Sequence, residues 1–248
     1  MLSSSHWSRV RMVMVETSLS ANLGAAARAM KTMGLTRLVA VNPQQDPLTE
    51  EALARASGAD DVLQQMHVVN TLDDALAGCS LVVGTSARDR ALPWPMLTPR
   101  ELPQTLASVD ADDDVAILFG RERSGLTNEE LARCHYHVHI PANPDYSSLN
   151  IAAAVQVIAY ELRMATMAVE ALEVEARPRA KAEDLEGFFL HLQAMLVDID
   201  FADPNNLRQL MLKLRRFYMR GQPEPTELNI LRGIVSQTQK TLKRGDHV

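Results

Sequence analysis

The stretch that most constrains the fold is Val115-Ala116-Ile117-Leu118, then Phe119-Gly120-Arg121-Glu122-Arg123-Ser124-Gly125-Leu126, then Thr127-Asn128-Glu129-Glu130. The four apolar residues read as a buried strand. A Thr with Glu three positions on reads as a helix start, because the two side chains satisfy amides that a helix leaves unpaired. Strand, glycine turn with an acid between two arginines, helix: open α/β sheets are built from this unit, and they place ligands beyond the carboxyl ends of their strands. The glycines let backbone approach a ligand closely. The same stretch also fits an ordinary βα turn with surface charges.

The alternation repeats through the first two-thirds of the chain. Strands are predicted at 9–15, 37–42, 67–70, 80–84, up to Phe119, and at 136–140. Helices are predicted at 21–33, from a Thr49 cap to near Gly58, from a Thr71 cap to Gly78, from Thr98-Pro99, from Thr127, and from Ser147 or Ser148 into the mid-170s. Such a pattern predicts an α/β fold, a mostly parallel sheet with helices on both faces. Charge and alanine dominate 170–183, with Pro178 inside, and this reads as a linker between a domain at 1–169 and one at 184–248. In the latter, Leu185, Phe188, Phe189, Leu192, Met195 and Leu196 keep helical spacing. Leu207, Leu210, Met211, Leu214, Phe217 and Tyr218 repeat it, behind Asp203 as cap and Pro204 at the first turn. Thr226 caps a third helix with Leu228, Leu231, Val235 and Leu242 inward, so a small helical bundle is predicted.

With 248 residues, 46% of them hydrophobic, the chain can bury a sizeable core. No apolar run reaches the length of a membrane span and no signal-peptide pattern opens the chain. Two cysteines, Cys79 and Cys134, suggest no disulfide framework, so a reducing cytoplasm is expected. The net charge of −6 argues against a general nucleic-acid coat. Its distribution is uneven: 205–248 holds nine Lys and Arg against three acids, leaving the rest of the chain at −12. That is the pattern of a polyanion-facing tail on an acidic body, with Arg215, Arg216 and Arg220 as its candidates; a solvated helix face is the plainer alternative.

Four polar blocks fall at the carboxyl ends of predicted strands. They are Asn22-Leu-Gly24-Ala-Ala-Ala-Arg28, Thr85-Ser86-Ala87-Arg88, Phe119 to Leu126, and Ser147-Ser148-Leu149-Asn150. Convergence on one sheet edge predicts a site there. Neither G-x-G-x-x-G after a strand nor a P-loop occurs, which disfavours hydride transfer and phosphate cradling. His135, His137 and His139 alternate on one strand face and do not converge tetrahedrally, so no metal is expected.

Asn22-x-Gly24-x-x-x-Arg28, Phe119-Gly120-x-Glu122-x-x-Gly125-Leu126 and Ser148-Leu149-Asn150 resemble the three ordered motifs of the SpoU branch of the SPOUT RNA methyltransferases. The fuller strings Val-Glu-Thr-Ser, Pro-Trp-Pro-Met and Asn-Pro-x-Tyr-Ser-Ser-Leu-Asn are most similar to those members that methylate the pyrimidine ribose at anticodon-loop position 32 of bacterial tRNA. The resemblance implies S-adenosylmethionine held in a deep trefoil knot, and a homodimer with the site at its interface. It implies cofactor contacts from Thr85, Ser86, Ala87, Gly120, Ile140, Ser147, Ser148 and Leu149, with Arg28 catalytic and Glu122, Ser148 and Asn150 assisting. For RNA it leaves Asn22, Arg88, Arg121 and Arg123 as candidates beside the tail arginines. A guanidinium is always protonated, so Arg28 is expected to orient the ribose and stabilise the developing oxyanion rather than act as a base. Glu122 pairing with Arg121 or Arg123 is the plainer alternative for that residue. Another tRNA position, rRNA, or a non-catalytic RNA-binding module remain open as alternatives.

Overall fold

The computed structural model describes residues 4–86, 94–110, 112–167, 178–203 and 206–245. In chain order the elements are β1 (Val10–Val15), α1 (Ser20–Thr32), β2 (Arg37–Val41), α2 (Glu50–Ala56), α3 (Asp60–Gln64), β3 (His67–Val69) and α4 (Leu72–Leu76). Then follow β4 (Cys79–Thr85), β5 (Met96–Leu97), α5 (Leu102–Ala107), β6 (Asp114–Phe119), α6 (Asn128–Leu131), β7 (Tyr136–Val138) and α7 (Ile151–Met167). Three helices close the chain: α8 (Ala182–Asp198), α9 (Leu207–Gly221) and α10 (Pro225–Gly245).

Among the described residues seven strands form one sheet in the order β3-β2-β1-β6-β4-β7-β5, every pair parallel. The pleat explains why helices cover both faces. Met12, Met14, Ile117 and Phe119 point into one core with α1, α2 and α7, while Val13, Val15, Ala116 and Leu118 point into the other with α4 and α6. Strands buried on both sides need continuous apolar runs, which β1, β4 and β6 supply. Gly24 sets the spacing of α1 on α2: a Cβ there would lie 1.9 Å from the Ala52 carbonyl oxygen. No helix among the described residues is long and apolar enough to cross a membrane.

Several boundaries depart from the sequence expectations. The helix expected from Ser147 or Ser148 begins at Ile151, because Asn150 Oδ1 accepts from the Ala152 amide (2.9 Å) and caps it there. The helix expected from Thr98-Pro99 begins at Leu102, after a turn in which the Glu101 carboxylate accepts from the amide and hydroxyl of Thr98. Three short elements were not expected at all: a 3-10 helix at Ser4–Arg9, α3 and β5. Asp203 does not cap α9, whose cap position is Asn206; Thr226 does not cap α10, which starts at Pro225. Leu242, expected inward, is exposed, and so is Phe217.

The C-terminal helices share a core of Leu185, Phe188, Phe189, Leu192, Met211, Met219, Leu228 and Val235. This bundle is seated on the sheet domain. Glu183 accepts from the Gly78 amide (2.6 Å), and Glu186 lies between Arg133 of the body (3.1 Å) and Arg215 of α9 (2.6 Å).

Candidate active site

Strands β6, β4 and β7 are neighbours in the sheet, so the loops leaving their carboxyl ends meet. They enclose a pocket of about 330 Å³ lined by Thr85 and Ser86, by Phe119 to Leu126, by Val138 and Ile140, and by Tyr146 to Ile151 with Ala154. Thr85 is fixed by donating its hydroxyl to the Leu118 carbonyl (2.8 Å), and Ser86 by its amide on the Val138 carbonyl (3.0 Å). The wall at Gly120 admits no side chain: a Cβ would lie 2.1 Å from the Gly125 carbonyl carbon. Gly125 itself takes φ +70°, a conformation glycine adopts without strain, and closes the loop through paired backbone bonds with Arg121.

A chain of side-chain hydrogen bonds joins three distant segments at the pocket's edge. Glu122 accepts from the Ser18 amide (3.0 Å) and hydroxyl (2.9 Å), from the Leu19 amide, and from Asn22 Nδ2 (2.8 Å). Asn22 Oδ1 accepts in turn from Asn150 Nδ2 (3.1 Å), and Asn150 Oδ1 from the Ala152 amide. The direction is fixed at one end, because a carboxylate only accepts; each amide must therefore turn its NH₂ toward Glu122. Glu122 thus holds the Ser18-Leu19 turn that leads into α1, beside the helix end whose dipole favours an anion. Burial pushes its carboxyl up, yet the Ser18 amide, the Asn22 amide and the Ser18 hydroxyl together hold it below the usual carboxylate range.

The expected site residues separate into groups. Thr85, Ser86, Gly120, Ile140, Ser147, Ser148, Leu149, Glu122 and Asn150 line the pocket. Ala87 and Arg88 lie outside the described residues. Asn22 is buried, and its amide donates to Glu122 and accepts from Asn150. Arg121 binds Glu130 through two nitrogens (both 3.0 Å) and Glu16 (2.8 Å), bonds that raise its pKa, so it braces the loop onto α6. Arg123 lines the pocket, is exposed, and forms no ion pair among the described residues. Arg28 is exposed on α1 and is not among the lining residues. Of the tail arginines, Arg215 is bound to both oxygens of Glu186 and lies over the Phe189 ring (4.5 Å), whereas Arg220 is exposed. Arg216 is half-buried.

Sequence reasoning missed Ser18 and Tyr146. Both follow a strand's carboxyl end, the signal that selected the other blocks. The histidines have separate structural tasks. His135 Nδ1 accepts from the Val82 amide (3.1 Å), and burial, aided by Arg179, pushes its pKa down to about 3, so it stays neutral. His137 stacks on Trp94 at 5.1 Å between centroids, and His139 Nδ1 meets the Ser86 carbonyl at 3.2 Å. Among the described residues no group of His, Cys, Asp or Glu is gathered to hold a metal. Both thiols are buried, and burial pushes that of Cys79 up to about 12.

Residues 9–160, more than half the chain, match the model of the SpoU rRNA methylase family. The chain belongs to that family. This SpoU methylase also matches, at 183–247, the model of the tRNA methyltransferase TrmJ C-terminal domain. It is 56% identical over 238 residues to the tRNA (cytidine/uridine-2′-O-)-methyltransferase TrmJ of Escherichia coli K12, covering 94% of this chain and 96% of that one. The crystal structure of TrmJ from Z. mobilis ZM4 superposes with a TM-score of 0.81 at 34% identity, over 92% of this chain and 97% of the other. A probable methylase family protein from Haemophilus influenzae Rd KW20 gives 0.63 at 44% identity, over 96% and 99%.

Proposed function

We propose that this SpoU methylase transfers the methyl group of S-adenosylmethionine to the ribose 2′-hydroxyl of the pyrimidine at position 32 of a tRNA anticodon loop, leaving S-adenosylhomocysteine and releasing the hydroxyl proton to water. The pocket carries the reading. Its volume of about 330 Å³ suits a small-molecule cofactor, and at Gly120, where a Cβ would collide with the Gly125 and Leu126 backbone, the wall is bare main chain. Thr85, Ser86, Gly120, Ile140, Ser147, Ser148 and Leu149 would hold the cofactor. The tRNA substrate rests on relatives named for cytidine and uridine 2′-O-methylation, together with the matching C-terminal domain. Position 32 rests on the motif strings, and the trefoil knot and a cytoplasmic location belong to the same reading. So does the division into a domain at 1–169, a linker at 170–183 and a tRNA-binding extension at 184–248.

When bound, the cofactor supplies a methyl group on a positively charged sulfur, open to in-line attack. The chain's own residues hold the ribose beside it, so proximity and electrostatics lower the barrier. Glu122 positions rather than abstracts, since its oxygens are already committed to the amino end of α1 and to Asn22. Arg28 cannot accept a proton; its task is to orient the ribose and stabilise the oxyanion. Lying outside its own chain's pocket lining, Arg28 serves in this proposal the pocket of a second copy. Two observations support a homodimer of that kind. Arg28 has no ion pair among the described residues, and α7, packed on α1, exposes Tyr160, Met164 and Met167 along one stripe. Arg220 and Arg216 of α9 are left for tRNA phosphates; Arg215 is assigned to bracing α9 on α8 through Glu186.

The test is methyl transfer from labelled S-adenosylmethionine to total tRNA of a strain lacking this protein, followed by nuclease mapping. Label on the ribose of position 32 is the expected outcome. Label at another nucleotide overturns the site preference, label only in rRNA overturns the substrate, and no transfer overturns the activity.

A further inference from the structure

Tyr146 lines the pocket yet is 80% exposed. Among the described residues its hydroxyl has no hydrogen-bond partner and its ring meets no other ring. An aromatic side chain left in water forfeits the burial that normally stabilises it, so its place at a pocket mouth needs a reason. The backbone beneath is set in advance. The Asn143 carbonyl accepts from the Tyr146 amide (2.9 Å), Asn143 Oδ1 accepts from the Asp145 amide (3.1 Å), and Pro141 and Pro144 restrict φ. The same pocket is also lined by Arg123, exposed and without an ion pair among the described residues.

We propose that Tyr146 is the stacking platform for the base of the target nucleotide, with Arg123 meeting its phosphate. The proposal rests on the function assigned above and names how that site recognises its substrate. A loop nucleotide presented for chemistry at its ribose must leave the stack of its neighbours, and single-stranded bases are held by aromatic faces and by cations on the backbone. The cofactor is not the partner of this ring. The interior of the pocket is built of Thr85, Ser86, Gly120 and Val138, whereas Tyr146 sits at the rim with its ring in solvent. Stacking also explains a site that accepts either pyrimidine, because both present a π-face of similar size.

The experiment compares the full-length protein with Tyr146→Ala, Tyr146→Phe and Tyr146→Trp. It measures steady-state methylation of tRNA, S-adenosylmethionine binding by calorimetry, and mass in solution by light scattering. Tyr146→Ala is expected to raise KM for tRNA roughly five- to hundredfold, with cofactor affinity and mass unchanged. Tyr146→Phe and Tyr146→Trp are expected to keep the wild-type KM, because the ring and not the hydroxyl does the binding. A tRNA lacking the base at the target position should raise the wild-type KM and leave that of Tyr146→Ala unmoved. A parallel loss of cofactor affinity would assign Tyr146 to the cofactor and overturn the proposal. A change of mass would assign it to a subunit contact, and an unchanged KM would leave the ring without a role. Wild-type protein that methylates no tRNA overturns the functional reading, and this proposal with it; a wild-type enzyme that is active beside an unaffected Tyr146→Ala overturns this proposal alone.

Discussion

Glu122 shows how one carboxylate can serve both a fold and a site. It holds the amino end of α1 through the Ser18 and Leu19 amides, and it starts the amide chain that ends on α7. Its folded pKa is depressed, so its contribution is fully present above the ordinary glutamate range and is lost as pH falls through the folded value. Glu122→Gln is therefore expected to cost about 1 kcal/mol at neutral pH, the scale of a helix cap. The gap to wild type should close as urea denaturation is repeated at progressively lower pH, below about 4. A gap of constant size from neutral to acid would show that the charge contributes nothing. The alternative pairing of Glu122 with Arg121 or Arg123 is not what forms: Arg121 is taken by Glu130 and Glu16.

Helix α9 carries five basic residues and no acid, and charge counting treats its arginines alike. Packing divides them. Arg215 faces Glu186, whose carboxyl is pushed up by burial but held lower overall by Arg215 and Arg133. Arg220, on the outer face, is left to solvent. Breaking a fully buried pair costs several kcal/mol; this one keeps some water contact, so Arg215→Ala should lower stability by about 2 kcal/mol. Arg220→Ala should leave the melting temperature in place, weaken tRNA binding, and lower the slope of log affinity against log salt by about one. Thermal melts and a salt titration of tRNA binding check the pair. The reverse pattern, a destabilised Arg220→Ala and a salt-sensitive Arg215→Ala, would exchange the two roles.

At the scale of the whole molecule, the unassigned quantity is the position of Arg28 relative to a pocket. If a second copy supplies it, Arg28→Ala and Asn150→Ala proteins, each inactive alone, should complement when mixed and re-equilibrated. Random exchange should restore about a quarter of wild-type turnover, because half the dimers are mixed and each holds one intact site. No recovery after demonstrated exchange would place Arg28 and Asn150 in the same chain's site. The sequence by itself determined the order of the strands and helices apart from the short 3-10 helix, α3 and β5, the two-faced sheet, the helical bundle and the loops that line the pocket. Those follow from side-chain period and turn chemistry, which act over a few neighbouring residues. Only the tertiary structure decided that Asn22 is spent on Glu122 and Asn150, which stand 100 and 128 positions away. It also decided that Arg215 faces inward, that Arg28 lies outside the pocket lining, and that Tyr146 stands open at the rim. Each of these depends on the strand order β6-β4-β7 and on the seating of the bundle, and contacts between remote segments leave no period in the chain to read.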